Sequence, residues 1–116
     1  EPWFACHLSK AGEARERLLE LLAGLEGDLY LSIDVDSLEV NLSPSTGTPE
    51  PGGLRWWQTM EYLQVLLAPS PLRTLTGFDV VETVPSQGTT VNEFTAARLL
   101  CKTLAYLHSP AAEREN

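Results

Sequence analysis

The chain is poor in the residues from which thiolate metal sites and disulfide scaffolds are built. Its 116 residues hold two cysteines and two histidines, with no CxxC and no HExxH. Cys6 and Cys101 lie far apart, each in an apolar pattern, and read as buried free thiols in a reducing compartment. His7 and His108 have no metal-ligand spacing and read as packing or helix-end residues. There is no GxGxxG and no P-loop, and Gly52-Gly53 alone is too weak a signal for a phosphate loop. Basic residues are scarce: 8 Lys and Arg against 16 Asp and Glu, a net charge of −8. That balance argues against nucleic acid or an anionic membrane surface as partner. No apolar run approaches the roughly 20 residues of a membrane span. No basic leader followed by an apolar stretch is present, so no signal peptide is expected and a cytoplasmic location is. No internal repeat is evident.

What is present suits a packed domain. Hydrophobic residues make up 43% of the chain, enough to exclude disorder. Pro2 to Leu8 reads as a short strand, with Ser9 placed to cap the next helix. From Ala11 to Leu25, Ala14, Leu18, Leu21, Leu22 and Leu25 recur at helical spacing and predict one buried stripe; Gly27 is a stop. Leu29 to Val35 reads as a central strand, apolar on both faces, as a parallel strand covered by helices on two sides reads. Leu54 to Ala68 returns to helical spacing, with Trp56, Met60, Leu63 and Leu67 on one face and Pro69 and Pro71 behind it. Thr74 to Val81 reads as a third strand. Val91 to Leu107 reads as the last helix, with Phe94, Ala97, Cys101 and Leu104 as its buried stripe. Pro110 to Asn116 reads as a polar tail. The order β-α-β-loop-α-β-α implies an α/β fold with a parallel sheet and right-handed crossovers, part of a three-layer α/β/α arrangement.

The informative stretch is Leu29 to Leu54. A buried strand runs into Asp34 and Asp36, which strand alternation would put on one side. Two converging carboxylates repel each other and resist desolvation, so a cation or a full set of hydrogen-bond donors must answer them. A long loop follows, Ser37 to Gly53, stiffened by Pro44, Pro49 and Pro51. Loops of this length in compact domains are functional or disordered. Glu82 stands at the end of the third strand. Ligands in parallel sheets bind beyond the carboxyl ends of the strands, so Asp34, Asp36 and Glu82 can share one site. Asp79 faces away from Glu82 by alternation and reads as a hydrogen-bonding residue. Thr46 and Thr48 fit a turn as well as a substrate contact.

These residues carry a resemblance. Ser32-Ile33-Asp34-Val35-Asp36-Ser37-Leu38, followed by Thr46-Gly47-Thr48-Pro49-Glu50-Pro51-Gly52-Gly53, resembles the signature of the ureohydrolases (arginase, agmatinase and relatives). Gly77-Phe78-Asp79-Val80-Val81-Glu82 is similar to that family's later strand. Phe94-Thr95-Ala96-Ala97-Arg98-Leu99 is similar to the closing helix of its agmatinase-like members. The resemblance implies a binuclear Mn²⁺ site that hydrolyses a guanidino group to urea and an amine. It implies that Asp34 bridges the metals, that Asp36 binds one of them, that Glu82 holds the substrate's guanidinium and that Thr48 lies near it. Carboxylate oxygens suit Mn²⁺, and paired cations can supply hydroxide at neutral pH. A trimeric or hexameric homo-oligomer is a further implication.

The departures bound the expectation. The family's Gly-Gly-Asp-His and Asp-Ala-His-x-Asp stretches, which carry its other metal ligands and its proton-transfer histidine, do not occur in the sequence. Ser37-Leu38-Glu39-Val40-Asn41 replaces the usual Asp-Pro turn. Residues 1–109 are therefore expected to be the C-terminal part of a ureohydrolase domain and 110–116 a tail. No catalytic residue is assigned; Asp34 and Asp36 are expected metal ligands, and Glu82 and Thr48 expected substrate contacts. Activity would need an N-terminal segment or another chain. The competing expectation is a non-catalytic remnant serving as an interaction or structural module.

Overall fold

A computed structural model describes residues 13–108. The expected strand at Pro2 to Leu8, the Ser9 cap, Cys6, His7 and the tail at 110–116 lie outside them. The described elements run α1 (Glu13–Ala23), β1 (Gly27–Asp34), a single 3-10 turn (Val35–Ser37), α2 (Trp56–Leu66), β2 (Arg73–Val81) and α3 (Val91–His108).

Helix α1 starts with Glu13 and Glu16 in its first turn, where carboxylates complement the helix dipole. At its other end Arg73 Nη1 donates to the Leu22 carbonyl. Gly27 then turns the chain into β1 with φ 94°, a conformation that costs glycine little. The expected α1 stripe is narrower than predicted. Ala14 and Leu22 are buried, whereas Leu21 and Leu25 are exposed. Among the described residues this short helix packs mainly on α2, which covers one line of its side chains.

Strands β1 and β2 pair in parallel from Gly27↔Arg73 to Asp34↔Val81, with the register broken between Leu29 and Tyr30. Leu29 pairs with Leu75 and Tyr30 with Gly77, so Thr76 is an extra residue in β2. Its Oγ1 donates to the Leu29 carbonyl, 2.9 Å away. Helices α2 and α3 cover one face of the sheet. Ile33, Val35, Leu38, Met60, Leu63, Leu67 and Leu99 form the core, with Leu31, Leu75 and Val80 packed against it. Burial of a side chain of this size contributes about 1.5–3 kcal/mol. Of the predicted Trp56, Met60, Leu63 and Leu67 stripe, the last three are buried and Trp56 is half-buried against the core.

The opposite face of β1 differs from the expectation of apolar cover on both sides. Tyr30 is 61% exposed. Its hydroxyl donates to Asp79 Oδ2 at 3.0 Å and Ser32 Oγ donates to Asp79 Oδ1 at 2.7 Å. Among the described residues this face is a polar network and not a second core.

Helix α3 also presents a different line than predicted. Phe94 is 67% exposed, and Ala97, Cys101 and Leu104 are exposed as well. The buried line is Asn92, Thr95, Ala96, Leu99 and Thr103. Asn92 and Thr95 lie on it because this part of the helix covers loop backbone, to which both bond. Cys101 is thus an exposed free thiol and not a buried one.

Candidate functional site

Strand β1 ends at Asp34, and the chain leaves it in the 3-10 turn. Asp34 Oδ1 accepts from the Asp36 backbone N at 2.9 Å, and Ser37 Oγ donates to the Asp34 carbonyl at 2.6 Å. Val35, 1% exposed, anchors the turn in the core. The two aspartates are therefore not alternate residues of one strand. Asp34 caps the turn and is exposed, while Asp36 lies inside it, half-buried.

The loop after this turn is held where it leaves and where it returns. Glu39 N donates to the Leu54 carbonyl at 3.0 Å, and Leu54 N to the Ser37 carbonyl at 2.7 Å. At this crossing Gly53 passes so close to Leu38 that a Cβ would stand 2.4 Å from the Leu38 carbonyl carbon and oxygen. Between these ends Thr48 reaches Asp36. Its backbone N donates to Asp36 Oδ2 at 3.0 Å, and its hydroxyl donates to the same oxygen. Asp36 Oδ1 is buried and has no hydrogen-bond partner among the described residues.

Glu82 arrives from the other strand. It follows Val81 with φ 64°, a left-handed conformation that costs a residue with a Cβ roughly 1–2 kcal/mol. Strain of this kind gathers at functional sites. A Cβ built on Gly47 would lie 3.2 Å from Glu82 Oε2 and 4.0 Å from Asp36 Oδ2. Gly47 thus separates the two carboxylates, and any larger residue would intrude on Glu82.

The loop and the Glu82 turn are joined directly. Thr46 Oγ1 donates to the Glu82 carbonyl at 2.9 Å, and Val84 N to the Ser45 carbonyl at 3.3 Å. Asn92, 1% exposed, accepts from Ser45 N at 3.1 Å and donates from Nδ2 to the carbonyls of Ser45 and Val84, the latter at 3.1 Å. Thr95 Oγ1 donates to the Leu42 carbonyl at 2.8 Å. Sequence reasoning had no place for Asn92. An Asn after two threonines at a helix start reads as capping chemistry, and only its burial reveals the second use.

The structure therefore brings Asp36, Thr48 and Glu82 around Gly47 and sets Asp34 at the rim of the same turn. Among the described residues no group of three His, Cys, Asp or Glu side chains could hold a metal ion. The orphaned oxygen of Asp36 nevertheless fits a cation, because a buried carboxylate oxygen without a donor is costly until one arrives. The donor set offers carboxylate and hydroxyl oxygens, which favour hard divalent ions.

The topology is parallel α/β, with carboxylates gathered past the strand ends, where sheets of this class generally bind their ligands. The chain belongs to the arginase family: the model of that family matches residues 5–106. It is 36% identical over 85 residues to an N(1)-aminopropylagmatine ureohydrolase of Thermococcus kodakarensis, covering 73% of this chain and 28% of that protein. It is 38% identical over 85 residues to an agmatinase of Pyrococcus horikoshii, covering 73% of this chain and 29% of that one. The agmatine ureohydrolase structure of Thermoplasma volcanium superposes with TM-score 0.72 at 25% identity, over 89% of this chain and 33% of that one. The chain spans less than a third of the length of the two sequence relatives that it matches. No helix among the described residues is long and apolar enough to cross a membrane.

Proposed function

We propose that this chain supplies one wall of the active site of a manganese-dependent amidinohydrolase, which splits an agmatine-like guanidino compound into urea and an amine. The convergence of Asp36, Thr48 and Glu82 around Gly47, with Asp36 Oδ1 left free, carries the proposal. Asp34 and Asp36 would hold Mn²⁺, completed by ligands from an N-terminal segment or from another chain. Bound Mn²⁺ would supply Lewis acidity and an activated water.

The residues of this chain have separate tasks in that reading. Glu82 pairs with the planar guanidinium through charge-assisted hydrogen bonds. Its strained backbone fixes the direction of approach. Thr48 satisfies one oxygen of Asp36 and so orients the other. The Gly47 backbone leaves room for the planar group beside Glu82. A cytoplasmic location accords with a free, exposed Cys101.

The same reading includes association. The described sheet has two strands, and Trp57, Phe94 and Tyr30 are exposed on the chain's surface. Open edges and uncovered apolar groups favour a partner, either a second copy or the segment that completes the site. Sedimentation of the isolated chain as a clean monomer at high concentration would oppose this.

The test is urea release. The chain joined to the segment carrying the remaining ligands, loaded with Mn²⁺, is expected to release urea from agmatine. Glu82→Gln is expected to lower kcat/KM at least about thirtyfold, the equivalent of about 2 kcal/mol of a charge-assisted pair. Urea release by this chain alone would sink the idea of a shared site. No urea from agmatine, arginine or guanidinobutyrate with the completed protein would favour a non-catalytic role.

A further inference from the structure

The carboxylates of the site come from segments far apart in sequence, and one buried side chain bridges the loops that hold them. We propose that Asn92 is a positioning residue that sets the spacing between Thr48 with Asp36 on one side and Glu82 on the other. The inference rests on the ureohydrolase reading for its catalytic consequence, though not for its geometry.

Asn92 sits in the first turn of α3 and is 1% exposed. Its carboxamide uses both kinds of group. Oδ1 accepts from Ser45 N, and Nδ2 donates to the carbonyls of Ser45 and Val84. Ser45 lies three residues before Thr48, and Val84 two residues after Glu82. No hydrophobic residue of similar volume could bond two strands of loop backbone at once, and aspartate would lose both donors. Thr46 Oγ1 on the Glu82 carbonyl and Val84 N on the Ser45 carbonyl complete the seam. Among the described residues Asn92 makes no hydrogen bond to Asp36 or to the Glu82 carboxylate, so it acts through the loops.

The aspartates proposed to hold the metal belong to a turn with its own local hydrogen bonds, to which Thr48 adds, whereas the Glu82 turn is held by the seam alone among its described hydrogen bonds. Loosening the seam therefore displaces the guanidinium's partner with respect to the metal side. The consequence falls on substrate affinity more than on turnover of substrate already in place.

Asn92→Asp is the informative variant, nearly isosteric and lacking the two donors. In the Mn²⁺-loaded, completed protein it is expected to raise KM for agmatine at least about tenfold with a smaller change in kcat. In this chain, hydrogen exchange at the Ser45, Thr48 and Val84 amides is expected to rise at least about tenfold, with the Ile33 and Val80 amides within about twofold. A change in KM below twofold, or exchange that rises equally across the core, would overturn the proposal. Thr46→Val breaks the same seam from its other side without placing a charge in it. It is expected to shift KM and exchange in the same direction, by about threefold, and serves if Asn92→Asp does not fold. Absence of urea release by the unsubstituted protein would count against the ureohydrolase reading alone, because the exchange pattern still decides the role of Asn92.

Discussion

At the carboxyl end of β1 the backbone is turned by side chains of the same few residues: Asp34 accepts from Asp36 N, and Ser37 donates to the Asp34 carbonyl. At the carboxyl end of β2 it is turned by residues remote in sequence: Thr46 holds the Glu82 carbonyl and Asn92 holds that of Val84. The first end is a relaxed local cap. The second is a left-handed Glu82 kept in place by its surroundings. Strain that is imposed from outside can be placed where function needs it, and an acidic residue can then face a site that its own local sequence would not have chosen.

Substitutions can break or sharpen this contrast. The largest effect is expected where the β1 end leans on the crossing at Leu38 and Gly53. Gly53→Ala would force a methyl against the Leu38 backbone, and is expected to cost about 3 kcal/mol or more by urea denaturation. A loss under 1 kcal/mol would mean that the crossing is loose. Next come two matched pairs of variants with opposite signs. Asp34→Ala should be about 1 kcal/mol less stable than Asp34→Asn, because only the second keeps a capping oxygen. Glu82→Gly should be about 1 kcal/mol more stable than Glu82→Gln, because only the first relieves the φ of 64°. Shifts of the same sign at both strand ends would erase the distinction between them.

The smallest effect lies away from both ends, on the open sheet face. The hydrogen bond from the Tyr30 hydroxyl to Asp79 raises the Tyr30 pKa above its ordinary 10.0, with desolvation and the Asp79 charge acting in the same direction. A raised folded-state pKa means that the bond's contribution is whole below pH 10 and is lost as pH rises through the folded value. Phenolate absorbance, taken as the difference from Tyr30→Phe, should show Tyr30 titrating late, and Asp79→Asn should bring it back towards the ordinary value.

The contrast also explains what could be read in the residues. The apolar run of β1, the Met60, Leu63 and Leu67 stripe and the Asp34/Asp36 pair are local patterns, and local patterns survive in sequence. The seam between Ser45, Val84 and Asn92 joins positions 47 and 8 residues apart, and nothing local encodes it. Hydropathy picked Phe94, Ala97, Cys101 and Leu104 for the buried line of α3. The helix instead buries Asn92 and Thr95, because loop backbone demands donors and acceptors that apolar side chains lack. The crossing at Gly53 was equally hidden, since a glycine in a Pro/Gly-rich loop looks like any other.

Thr76 sets the parity of β2. Strands carry a two-step rhythm, and one inserted residue inverts everything after it. With Leu75 packed on the core, unbroken alternation would have put Asp79 beneath the helices and Val80 in solvent; the bulge makes Val80 the core residue and leaves Asp79 to Tyr30 and Ser32. The fold therefore tolerates a polar residue in an apolar strand by counting differently and not by altering its chemistry. Deletion of Thr76 would keep Leu75 opposite Leu29 and Gly77 opposite Tyr30, so plain alternation would then give the same faces. Replacing Thr76 without deleting it and forcing a regular ladder would instead drive Asp79 into the core.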